Sequence, residues 1–67
     1  MSSIAKIIEI SSRSKKSFDD AINDGIARAS KTVKGIQGAY VKEMKLDVDD
    51  GKVVGYQVIL NVTFVLD

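Results

Sequence analysis

The chain has 67 residues, of which ten are basic and nine acidic, with no histidine and no cysteine. That inventory excludes disulfide bracing, thiolate or imidazole metal sites, and a nucleophile activated by a histidine base. A formal net charge of +1 gives no electrostatic reason to expect a nucleic-acid partner, and no apolar run approaches the ~20 residues a membrane span requires.

The opening stretch "MSSIAKIIEI" lacks the basic-then-apolar layout of a signal peptide. Together with the absence of cysteine this leads us to expect a cytoplasmic protein. Within it, Ile4 to Ile10 is rich in isoleucine and reads as a first strand, which "SSRS" then breaks. Ser14 is the expected helix N-cap. Lys15 and Lys16 sit poorly against the positive helix end, and Asp19 and Asp20 partly correct this.

In "SFDDAINDGIARASKTVKG" the residues Phe18, Ala21, Ile22, Gly25, Ile26, Ala29 and Val33 recur at three- and four-residue intervals, which predicts one helix with one apolar stripe. Gly25 costs ~1 kcal/mol of helix propensity relative to Ala, so a close approach of backbone to sheet is expected there. Gly35 is the expected stop, with Lys31 and Lys34 against the negative helix end.

A second strand is predicted over Ala39 to Val48. Strict alternation puts Tyr40, Met44, Leu46 and Val48 on one face, with Lys42 as an intruder, and Ala39, Val41, Glu43, Lys45 and Asp47 on the other. "DDGK" makes a turn in which Gly51 supplies a positive φ. The last strand, Val54 to Asp67, has an unbroken apolar register (Val54, Tyr56, Val58, Leu60, Val62, Phe64, Leu66). Its other register mixes Gln57, Asn61 and Thr63 with Ile59 and Val65. Neither linker nor repeat interrupts the chain, which reads as a single domain over residues 1–67.

The fold class is therefore α+β in β-α-β-β order, a three-stranded antiparallel sheet covered on one face by one helix. A single helix leaves the second face bare, with Ile59, Val65 and Val41 among Gln57, Asn61, Thr63, Glu43 and Lys45. A domain of this size buries only about 60% of its unfolded surface. Self-association is the expected remedy.

In the helix entry "SKKSFDDAI", the helix exit "ARASKTVKGI" and the terminal strand "YQVILNVTFVL", in this order and spacing, the chain resembles the dodecins. The resemblance implies a long sheet wrapping a single helix and a hollow homododecamer. It also implies a flavoprotein without an enzymatic reaction, storing or sequestering riboflavin or FMN in pairs at two-fold interfaces. Dodecins hold the flavin between a Trp preceding the second strand and a Gln in the last strand. Gln57 matches that Gln, whereas Gly38 stands at the Trp position, beside Gln37. Glu43 and Lys45 occupy the corresponding face of the adjacent strand, where a ribityl chain or phosphate would lie.

Some dodecin-like proteins that lack the aromatic residue are associated with calcium, which makes Asp47, Asp49 and Asp50 of "DVDDG" candidate ligands if symmetry brings them together. The segment fails as an EF-hand, since no helix pair flanks it and Val58 stands where the closing Glu belongs. "NVT", Asn61 to Thr63, matches a glycosylation acceptor but lies in a strand and is discarded. Three functional readings follow: a flavin store, a shell that has exchanged flavin for calcium or another ligand such as coenzyme A, and a purely structural oligomeric scaffold.

Overall fold

The computed structural model describes residues 4–66; the Met1–Ser3 end of the opening stretch and Asp67, which the sequence pattern included in the last strand, lie outside the described residues. The observed order is β1 (Ala5–Ser14), α1 (Phe18–Ala29), β2 (Ile36–Asp49) and β3 (Lys52–Val65). β3 is the middle strand of an antiparallel sheet ordered β1-β3-β2. Among the described residues, no helix is long and apolar enough to cross a membrane.

β3 takes the centre because its apolar register is the longest in the chain. Val58, Leu60 and Val62 of that register are fully buried against Ala21 of α1, with Ile8, Ile10, Phe18, Ile22, Ile26 and Ile36 packed around them. Tyr56, in the same register, meets Phe18 edge-on at 5.2 Å between ring centroids. The helix lies over β1 and β3. Gly25 is buried where helix and sheet come closest: a Cβ there would stand 3.0 Å from the Ser12 Cβ, as the sequence led us to expect.

Several boundaries differ from the sequence expectation, each for a local reason. β1 runs on through "SSRS" because backbone pairing with β3 continues, Ser11 opposite Ile59 and Arg13 opposite Gln57. Ser17, not Ser14, caps the helix: it is extended (φ −171°, ψ 166°) and its side chain accepts the Asp20 amide at 2.9 Å. Ser14 instead ties the entry loop together, accepting from the Lys16 amide and donating to the Asp20 carboxylate at 2.6 Å.

The helix also stops at Ala29 rather than continuing through Val33. There the Ser30 hydroxyl donates to the Ile26 carbonyl and the Thr32 hydroxyl to the Ala29 carbonyl. The backbone itself tightens there into i→i+3 bonds, the Lys31 amide donating to the Arg28 carbonyl and the Thr32 amide to the Ala29 carbonyl, which closes the helix. Gly35 adopts φ 79° beyond this turn, and its carbonyl accepts the Val65 amide.

The largest correction concerns β2. Val41 opposes Leu60 while Glu43 opposes Ile59, so Lys42 is an extra residue in a β-bulge. The bulge resets the alternation. Tyr40, Glu43, Lys45 and Asp47 share the face of Asn61, Ile59, Gln57 and Gly55, whereas Ala39, Val41, Met44 and Leu46 share the helix-side face of Val62, Leu60, Val58 and Tyr56. Val41 is thus not part of the bare outer face. Lys42, the apparent intruder, reaches Glu9 of β1 at 3.0 Å. Because α1 sits over β1 and β3, Val41, Met44 and Leu46 on the helix side of β2 are all exposed.

At the hairpin tip Asp49 opposes Lys52, and both residues between them have positive φ, Asp50 at 50° and Gly51 at 75°. This is the turn geometry that follows the twist of the strands it joins.

Candidate functional site

The outer face of the sheet is assembled in rows of cross-strand partners, which share a face. One row is Arg13, Gln57 and Lys45; the next is Ser11, Ile59 and Glu43. Gln57 donates from Nε2 to the Ser11 hydroxyl at 3.0 Å. An amide has two N–H donors and a carbonyl acceptor, so one N–H and the carbonyl remain to meet a hydrogen-bonding ligand edge.

Beside this row Arg13 Nε lies 2.7 Å from Asp47 Oδ2 and Lys45 Nζ 3.9 Å from Asp47 Oδ1. Arg13 and Asp47 come from the two outer strands and meet across β3. Gly55 permits this: it is opposite Asp47, and a Cβ on it would stand 2.7 Å from Arg13 and 2.9 Å from the Asp47 carboxylate. With Asp47 engaged by two cations, the ion-pair cluster carries a net positive charge next to Gln57. It suits an anionic or carbonyl-rich group. Further along, the Lys42 ammonium is held above its ordinary value, first by its hydrogen bond to Glu9 and then by that carboxylate's charge.

Three of the residues singled out from sequence, Gln57, Lys45 and Glu43, are therefore neighbours. The other two are not. Gly38 opposes Thr63, six residues along β3 from Gln57, which is ~20 Å at ~3.4 Å per residue. Gln37 is the extra residue of a second register shift, between Ile36 and Gly38. Within one chain these two groups thus stand well apart on the outer face, too far for one small ring to touch both.

Asp49 and Asp50 sit at the exposed hairpin tip. Among the described residues no three acidic side chains converge where a metal ion would bind. A hollow of about 410 Å³ between β1 and α1, lined in part by Ser12, Arg13, Gly25 and Arg28, includes none of the ligand residues expected from sequence.

Arg13 and Ser11 were missed by sequence reasoning, which ended β1 at Ile10. Their signal was the continued alternation of Glu9, Ser11 and Arg13 on one register.

Fold and outer face together define a small β-α-β-β protein whose single helix covers one face of a three-stranded sheet and leaves a mixed polar and apolar face open. Comparison with known proteins gives the family: the chain belongs to the dodecins, whose family model matches residues 4–67. It is 33% identical over 67 residues to a dodecin of Thermus thermophilus, covering 100% of this chain and 97% of that protein.

The structure superposes on the dodecin from Streptomyces davaonensis with a TM-score of 0.91 at 31% identity, covering 100% of this chain and 98% of that one. It also matches a calcium-chelating antigen of Mycobacterium tuberculosis, a calcium dodecin with a novel calcium-binding site. That match has a TM-score of 0.81 at 32% identity, over 96% of this chain and 91% of the other.

Proposed function

We propose that this chain forms a homododecamer that stores or sequesters a flavin, riboflavin or FMN, in the cytoplasm. The observation that carries the reading is the row Arg13–Gln57–Lys45 on a bare outer face. It pairs an amide complementary to a pyrimidine-like ring edge with cations suited to a ribityl phosphate. Glu43, one row away, is placed to accept from ribityl hydroxyls. The exposed Val41, Met44 and Leu46 supply apolar surface that a second copy buries. With neither histidine nor cysteine in the chain, the surface binds a ligand and does not transform it.

The test is titration of riboflavin with the purified oligomer, followed by flavin fluorescence, for the wild type and Gln57→Ala. Loss of one ligand hydrogen bond, ~0.5–1.5 kcal/mol, weakens binding about two- to twelvefold while the particle mass stays constant. Equal affinity for the two proteins refutes the assignment of Gln57.

A second reading is favoured by the calcium-chelating relative and by the carboxylates Asp47, Asp49 and Asp50. In it the shell keeps its architecture and binds calcium where subunits bring these side chains together. Calcium-dependent stabilisation, abolished by a chelator, supports this reading, and chelator-insensitive melting removes it. Coenzyme A or another nucleotide-containing ligand is the outcome to pursue if neither flavin nor calcium binds, and a ligand-free particle that captures a specific protein would point to a scaffold.

A further inference from the structure

Gly38 lies in a notch on the outer face. Its row is Gly38, Thr63 and Ile7, and the adjoining row is Tyr40, Asn61 and Glu9. Gly38 and Thr63 are small and make a low floor. On either side stand two large side chains that a soluble chain ordinarily buries: Ile7 is 62% exposed and Tyr40 is 65% exposed. A Cβ on Gly38 would meet nothing within 4 Å, so the space above the floor is open. The aromatic pair among the described residues is Phe18 with Tyr56; Tyr40 has no ring to lie against.

Spacing sets what fits. Residues 38 and 40 of one strand are ~7 Å apart at ~3.4 Å per residue, twice the ~3.5 Å contact distance between carbon atoms. A planar ring laid on Tyr40 therefore occupies the layer a side chain at position 38 would fill. Asn61, opposite Tyr40, supplies a donor and an acceptor at the ring's margin.

We infer that Tyr40 is the aromatic platform of this chain's ligand site, stacking an isoalloxazine ring over the open floor made by Gly38 and Thr63. The inference rests on the flavin reading above and adds to it the residue that bears the ring. A tyrosine offers the large, low-entropy contact area that stacking requires, and aromatic stacking on a base contributes ~1–3 kcal/mol.

The experiment is a riboflavin titration of four intact oligomers, the wild type, Tyr40→Ala, Tyr40→Phe and Gly38→Val, each checked for mass by light scattering and for fold by circular dichroism. Tyr40→Ala weakens binding about five- to 150-fold. Tyr40→Phe keeps the ring and stays within about twofold of the wild type. Gly38→Val puts side-chain atoms into the notch, where a Cβ meets nothing within 4 Å, and weakens binding about tenfold or more.

If the wild type binds and Tyr40→Ala binds equally well, the platform is refuted and the flavin reading stands on Gln57. If Tyr40→Phe loses as much as Tyr40→Ala, the hydroxyl and not the ring makes the contact, and stacking is refuted. Absence of binding by an intact wild-type oligomer overturns both the platform and the flavin reading.

Discussion

Replacing Gly25 with Ala sets two effects of similar size against each other. An interior helical Ala is favoured over Gly by ~1 kcal/mol. The new Cβ, however, arrives 3.0 Å from the Ser12 Cβ and 3.2 Å from its hydroxyl oxygen, with Leu60 at an ordinary 3.5 Å. A strand Cβ cannot swing away as the tip of a long side chain can, so helix and sheet must part. Overpacking of this kind costs ~1–3 kcal/mol. The expected net effect is a loss of about 1 kcal/mol, in the opposite direction to the propensity.

Ser12→Gly removes both obstructing atoms and alone costs ~0.5–1 kcal/mol as a strand glycine. In the double variant the clash is gone and the propensity gain survives. It should lie near wild-type stability rather than about 1.5–2 kcal/mol below it, a coupling of about 2 kcal/mol. Urea unfolding of the four proteins at one fixed chain concentration measures this, since self-association makes stability concentration-dependent. Additivity within ~0.5 kcal/mol, or a Gly25→Ala variant more stable than the wild type, would refute the argument that Ser12 sets the helix–sheet distance.

Two further outcomes follow from the strand faces. Leu46→Glu puts a charge into the exposed apolar surface of β2 and should lower the particle mass seen by light scattering while the helix and sheet content is retained; an unchanged mass removes β2 from the subunit contact. Glu9→Gln should move the Lys42 titration, followed by NMR of its side chain, back down toward the ordinary lysine value. Because the folded Lys42 value is raised, its pairing stabilises fully below the unfolded lysine value and fades as pH climbs through the raised one. The wild type should therefore show an alkaline loss that Glu9→Gln lacks, and an unshifted Lys42 would refute the pairing.

The core was legible from sequence because β3 repeats its apolar register from Val54 to Leu66, and Gly25 was legible because nothing else explains a glycine in mid-helix. What escaped was decided by backbone pairing. The residues Ser11 to Ser14 look like a loop by side chain, yet β3 offers them hydrogen-bonding partners that are indifferent to side-chain polarity. The bulge at Lys42 inverted the predicted faces of Ala39 and Val41 relative to Glu43 and Lys45. Its trace in the sequence was the misplaced lysine itself. For the site, alternation placed Gln57, Glu43 and Lys45 on one face correctly. The ~20 Å between Gln57 and Gly38 follows from pairing register and could not be read from either strand alone.

The sheet order β1-β3-β2 has a consequence for how the chain acquires its structure. β1 and β2 never pair with each other; each pairs with β3. Neither outer strand can pair before β3 reaches it, so the isoleucines and valines of both stay in the open until β3 is in place. Closing the β1–β3 ladder joins residues as distant as Ala5 and Val65, a loop whose entropy is spent before its contacts reward it. Folding is therefore expected to begin at the Asp50–Gly51 hairpin and spread along β3, with β1 and the helix docking last. A chain truncated before β3 should therefore expose two unpaired strands and aggregate, which light scattering would detect.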